Sequence, residues 1–108
     1  MRNFYKRIQI LSDAKNDLEE GRQFYEKHGK HVGDYFWDSL LSDIESLVIF
    51  AGIHRKEFGF YRMLSKRFPY AIYYDVDGDV ASVIAVLPIR RSPLWIKSKT
   101  SGRDQNQT

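Results

Sequence analysis

Two runs of the chain, Tyr70 to Val76 and Val80 to Leu87, are rich in Tyr, Ile and Val, and they predict neighbouring β-strands. Between them Asp77-Gly78 tolerates positive φ, which predicts a two-residue type I′ hairpin loop. That loop sets a register in which Val76 opposes Asp79, Tyr74 opposes Ala81, Ile72 opposes Val83 and Tyr70 opposes Ala85. One face of the ribbon then carries Tyr70, Ile72, Tyr74, Val76, Ala81, Val83, Ala85 and Leu87, and this is the expected core side. The other face carries Ala71, Tyr73, Asp75, Val80, Ser82, Ile84 and Val86, a mixture that suits an exposed working surface or one awaiting a partner.

The rest of the chain supplies cover for this ribbon. Phe4 to Leu11 alternates well enough for a first strand. Ser12 offers an N-cap and Asp13 a negative charge in the first turn, and Ala14, Leu18, Gly21 and Tyr25 recur every three or four residues, predicting a helix over 13–28. Glycine in mid-helix costs roughly 1 kcal/mol against Ala, so Gly21 hints at a close crossing with another element. Gly29 ends that helix, and Phe36, Leu40, Ile44, Leu47 and Val48 mark a second one over 33–51. The pattern breaks from Ala51 to Glu57 and resumes at Gly59 to Leu64 as a strand that pairs with 70–76. The expected fold class is α+β, in the order β-α-α-β-β-β, with a helical hairpin packed on a twisted, mostly antiparallel sheet. Its expected core is Leu18, Phe36, Leu40, Ile44, Leu47, Ile72, Tyr74, Val83 and Ala85.

At 108 residues and 43% hydrophobic, the chain suits one domain, expected over 1–97 with a polar, disordered tail over 98–108. It has no cysteine, so disulfides and thiolate metal sites are excluded. No apolar run approaches the roughly 18 residues of a membrane span, and the basic start MRNFYKRIQIL lacks a small-residue cleavage site, so a cytoplasmic protein is expected. His28, His31 and His54 lack ligand spacing and are expected to face solvent, with no metal or cofactor. The net charge of +3, with basic residues gathered in 54–67 and 90–99, points to an acidic partner.

The element order, the helix phrase VGDYFWDSLLSDIESL, Lys66-Arg67-Phe68-Pro69-Tyr70, the hairpin AIYYDVDGD and the ending AVLPIRRSP together resemble the RelE/ParE superfamily of bacterial type II toxins, over nearly residues 4–95. The resemblance implies a growth-inhibiting toxin of a plasmid-stabilisation type, neutralised by a cognate acidic antitoxin. RelE-like members are ribosome-dependent mRNA endonucleases, and their chemistry needs cations on the scissile phosphate and a group that moves a proton. In this chain the arginine that follows their shared Tyr falls on Ala71, a later cationic position on Ile89, and the terminal aromatic acid or base on Trp95, whose indole is a donor only. Arg62 can replace one nuclease lysine while Leu64 occupies the other, which leaves Arg62, Arg90 and Arg91 as the alternative nuclease set.

ParE-like members act instead by contact with a protein target, DNA gyrase being the example, and a contact surface needs no titrating residue. The resemblance is therefore closer to ParE-like than to RelE-like members. Pro88 stands where many of them have His, and Ser92 where Asp is common. The residues expected to meet the antitoxin or target are Arg62, Lys66, Arg67, Tyr73, Arg90, Arg91 and Trp95.

Overall fold

Five strands form one mixed sheet in the order β1-β5-β4-β3-β2 in a computed structural model that describes residues 5–103. The expectation for Phe4 lies outside those residues. β4 (Tyr70–Asp77) and β5 (Val80–Pro88) are the central hairpin, β3 (Phe60–Leu64) pairs antiparallel with β4, and β1 (Arg7–Ile10) pairs parallel with the first half of β5. The sequence pattern missed β2 (Lys56–Glu57), a two-residue edge joined to β3 through Phe58-Gly59. Both residues of that turn have positive φ, the type I′ arrangement.

The central turn differs from the expected one. Asp77 pairs with Val80, so the loop is Gly78-Asp79. Gly78 has φ 60° and Phe58 is the one non-glycine with positive φ among the described residues, so only the first loop position is left-handed, as in a type II′ turn. A bulge follows. Tyr74 opposes Val83 and Tyr73 opposes Ala85, which leaves Ile84 as the extra residue of β5. An extra residue reverses the alternation beyond it, so Val86 joins the helix-side core while Ala85 and Leu87, expected there, are buried on the opposite face.

The helix side is covered by α1 (Ser12–Glu26) and α2 (Lys30–Glu45). α1 begins at Ser12 with Leu11 in the cap position, not with Ser12 as the cap. Leu11 serves both elements: its N–H donates to the Val83 carbonyl at 3.1 Å and its own carbonyl accepts from Lys15 at 3.0 Å. α2 begins earlier than 33 because Gly29, at φ 123°, reverses the chain within one residue. The second helix stops at Glu45, where Ser46 Oγ donates to the Asp43 carbonyl at 2.6 Å, and a short α3 (Leu47–Phe50) follows. Gly21 is a close crossing: a Cβ there would lie 2.4 Å from the buried Phe36 ring. Phe68 of the Arg-Phe-Pro-Tyr phrase plugs this hairpin, with ring centroids 4.9 Å from Tyr25 and 5.1 Å from Phe36.

The opposite face of the sheet is not open, as the sequence led one to expect. Leu11, Phe60, Ala71, Tyr73, Ile84, Ala85 and Leu87 form a second cluster there, closed by Ile96 of α4 (Pro93–Thr100) with Trp95 packed against it. Of the tail expected to be disordered over 98–108, residues 98–103 are structured, and 104–108 lie outside the described residues. Ser92 Oγ accepts from the Trp95 N–H at 3.2 Å, Pro93 sits in the first turn, and Thr100 is buried.

Candidate functional site

Where α1, the Pro69-Tyr70 corner and the start of α4 meet, they wall a groove of about 570 Å³. Its floor is Gly21, Tyr70, Val86 and Leu87, and its rim carries Phe24, Arg90, Arg91, Trp95 and Lys99. Trp95 and Lys99 stand four apart on one face of α4, and Arg91, two residues before the helix, lines the same groove. The Arg91 guanidinium lies 4.8 Å from the Trp95 ring centroid and the Lys99 ammonium 5.5 Å from it. Two cations thus flank one half-buried indole, and Phe24 is 52% exposed across the groove. An apolar floor with a cationic rim suits an amphipathic, acidic peptide segment.

Glu20 brings an exposed carboxylate to the groove, and the two phenols there are weak acids. Burial, with help from Tyr25, Glu20 and Asp17, pushes the Tyr70 phenol up to about 12, and burial also raises Tyr25. Both phenols stay protonated near neutral pH and can only donate or accept hydrogen bonds. Asp17, at the groove's inner wall, is occupied: it accepts from the Val86 N–H at 3.0 Å and pairs twice with Arg103, at 2.6 and 3.3 Å. Burial sets its carboxyl above the ordinary value, with the Arg103 and Val86 hydrogen bonds working against that rise.

The structure divides the residues expected to form one surface. Arg90, Arg91 and Trp95 come together in the groove. Arg62 and Lys66 line a second groove of about 500 Å³ at the β3 edge, with His54, Phe50 and Ile53. Arg67 lies exposed in the β3–β4 turn and lines neither. Tyr73 is no contact residue, because it is fully buried in the second cluster and its hydroxyl accepts from Arg62 Nε at 3.2 Å. Arg62 is also committed to Glu57 at 3.3 Å, which removes two members of the expected set as free groups. His54 does not simply face solvent: its Nδ1 meets the Tyr74 hydroxyl at 2.5 Å, and that hydroxyl also accepts from the Gly52 N–H at 2.9 Å. Burial lowers the His54 pKa, in keeping with a neutral ring that accepts from Tyr74.

Sequence reasoning missed Lys99, Phe24 and the Asp17–Arg103 pair. Ser92-Pro93, a capping residue followed by proline, was the signal that a helix begins there and carries Lys99 onto the Trp95 face.

These features define a small α+β protein with a cationic, aromatic groove. The chain belongs to the ParE toxin family: the family model described as ParE toxin of type II toxin-antitoxin system, parDE, matches residues 8–93. Among solved structures it resembles a chain described as "Chromosomal ParDE TA system from P. aeruginosa", with a TM-score of 0.73 and 13% identity, covering 82% of this chain and 100% of that one. A search of curated proteins finds no match. Among the described residues no helix is long and apolar enough to cross a membrane.

Proposed function

We propose that this chain is a cytoplasmic toxin that arrests growth by binding a cellular protein, with DNA gyrase as the target, and that a cognate acidic antitoxin neutralises it. The observation that carries the contact reading is the groove around Trp95, which gathers Arg90, Arg91 and Lys99 over an apolar floor while its phenols are held protonated. The set Arg62, Arg90 and Arg91, which an mRNA endonuclease would need at one phosphate, is shared between two grooves, with Arg62 paired to Glu57. An antitoxin segment seated in the groove would order on binding, apolar side chains on the floor and carboxylates at the rim.

Supercoiling and primer extension in the same cells, arrested by induction of the toxin, test the target. Relaxed plasmid without new mRNA ends is the expected result, whereas codon-phased cleavage with normal supercoiling overturns it in favour of the endonuclease. Induction without arrest would leave a family member that only binds antitoxin. For the groove, replacing Arg90 and Arg91 together by Ala should slow association with the antitoxin and flatten its salt dependence while leaving the fold intact. An unchanged rate at low and high salt would remove the pair from the interface.

A further inference from the structure

One stretch of the chain is cationic without counter-charge. Residues 89–103 carry Arg90, Arg91, Lys97, Lys99 and Arg103 and no acidic residue. Arg103 is committed to Asp17. The other four are exposed, and among the described residues none of them has a carboxylate at ion-pair distance. The groove accounts for Arg90, Arg91 and Lys99, but Lys97 does not line it. At roughly 100° per residue, Lys97 stands about 200° around α4 from both Trp95 and Lys99, on the far flank. Between the two flanks the solvent side carries Leu94, Ser98 and Ser101, and Ser98 Oγ folds back to donate to the Trp95 carbonyl at 2.6 Å. The result is a ridge with small side chains along most of its crest and cations on both sides. The family match ends at residue 93, where this helix begins.

We propose that α4 is a binding ridge for duplex DNA, held through phosphates on both of its flanks. Unpaired cations in a strip fit a polyanion, and the packing of α4 narrows which one. A membrane surface needs an apolar helix face, but Ile96 and Thr100 are buried and Leu94 alone is left as a large exposed apolar side chain. Single strands are held by stacking bases on free aromatic rings, whereas the Trp95 ring already carries Arg91 at 4.8 Å and Lys99 at 5.5 Å. The major groove of an A-form RNA duplex is deep, narrow and closed to side chains. That of B-form DNA, about 12 Å wide, admits a helix. There the serines of the crest permit close approach, and Lys97 and Lys99 reach phosphates on either wall. An acidic peptide in the Trp95 groove would leave Lys97 unused. The proposal needs no protein partner, and it adds to the gyrase reading: a toxin held on DNA meets a DNA-bound enzyme at raised local concentration.

Fluorescence anisotropy of a short labelled DNA duplex of mixed sequence, titrated with the full chain at several salt concentrations, tests the ridge. Four phosphate contacts give an expected slope of log affinity against log salt of about −3.6. Lys97→Ala removes one contact, so affinity should fall about eightfold at about 0.1 M salt and the slope should shrink to about −2.7. Lys97→Arg should keep both near the parent values. No binding at low salt, or a Lys97→Ala variant that binds the duplex as tightly as the parent, overturns the ridge and leaves the gyrase reading standing. Tighter binding to a single strand, to an RNA duplex or to anionic lipid vesicles overturns the assignment to DNA.

Discussion

Arg103 Nη1 lies 2.6 Å from Asp17 Oδ2, so the end of the described chain is fastened to the first helix. The same Arg103 group donates to the Ile84 carbonyl at 3.2 Å, and Asp17 accepts from the Val86 N–H. Together the pair occupies the edge of β5 past the point where β1 stops at Ile10, covering backbone groups that would otherwise present a bare strand edge. Both side chains are largely buried, at 12% and 8% exposure.

Removing one member should therefore cost more than losing a surface ion pair. Arg103→Ala leaves the Asp17 carboxylate buried and unpaired, with an expected loss of about 3 to 5 kcal/mol by urea titration. It should also loosen α4 and quench the groove, seen as a shift in Trp95 fluorescence. A loss under about 1 kcal/mol would mean that the pair is solvated in solution.

The crossing at Gly21 predicts a second cost. In Gly21→Ala the new methyl would meet Phe36 ring atoms at 2.4 and 2.6 Å, and that ring is fully buried. Overpacking of about 1 to 3 kcal/mol is expected, of which the better helix propensity of Ala recovers about 1 kcal/mol at most. A variant more stable than the parent would show that the two helices can separate freely.

Ile44 sits on the buried stripe of α2 at 2% exposure. Truncation to Ala should cost about 2 to 5 kcal/mol. A thermal or urea midpoint equal to that of the parent would place this face of α2 in solvent.

His54 predicts a pH dependence with a definite sign. Its folded pKa lies below the ordinary 6.5 because of burial, so the neutral ring is the form the fold prefers. The associated stability is present above about pH 6.5 and is lost as pH falls through the lower folded value, when protonation also ends acceptance from Tyr74. Urea midpoints should fall between neutral and mildly acidic pH, and His54→Phe should reduce that slope. An NMR titration giving His54 a pKa above 6.5 would contradict this account.

Local pattern determined the elements of this protein. Periodicity in Ala14, Leu18, Phe36, Leu40 and Ile44 announces the two helices, and the β-branched and aromatic runs announce β3, β4 and β5, because each element needs one apolar face to bury. The order of those elements, with the phrases that accompany them, was enough to suggest the family that the comparison with known proteins shows. Part of the candidate groove was legible too: Arg90, Arg91 and Trp95 line it together, since they lie within a few residues of one another at a helix start.

What the chain does at long range was decided only by the tertiary structure. A single bulge at Ile84 exchanges the faces of Ala85, Val86 and Leu87, and no local preference marks it, because all these residues suit either buried face. Tyr73 looked like a contact residue until α4 and Leu11 helped close the cluster around it, and α4 in turn depends on Arg103 reaching Asp17 across most of the chain. Arg62 and Arg91 belong to the same basic composition yet line different grooves, because where a charge ends up is set by sheet order and not by sequence distance.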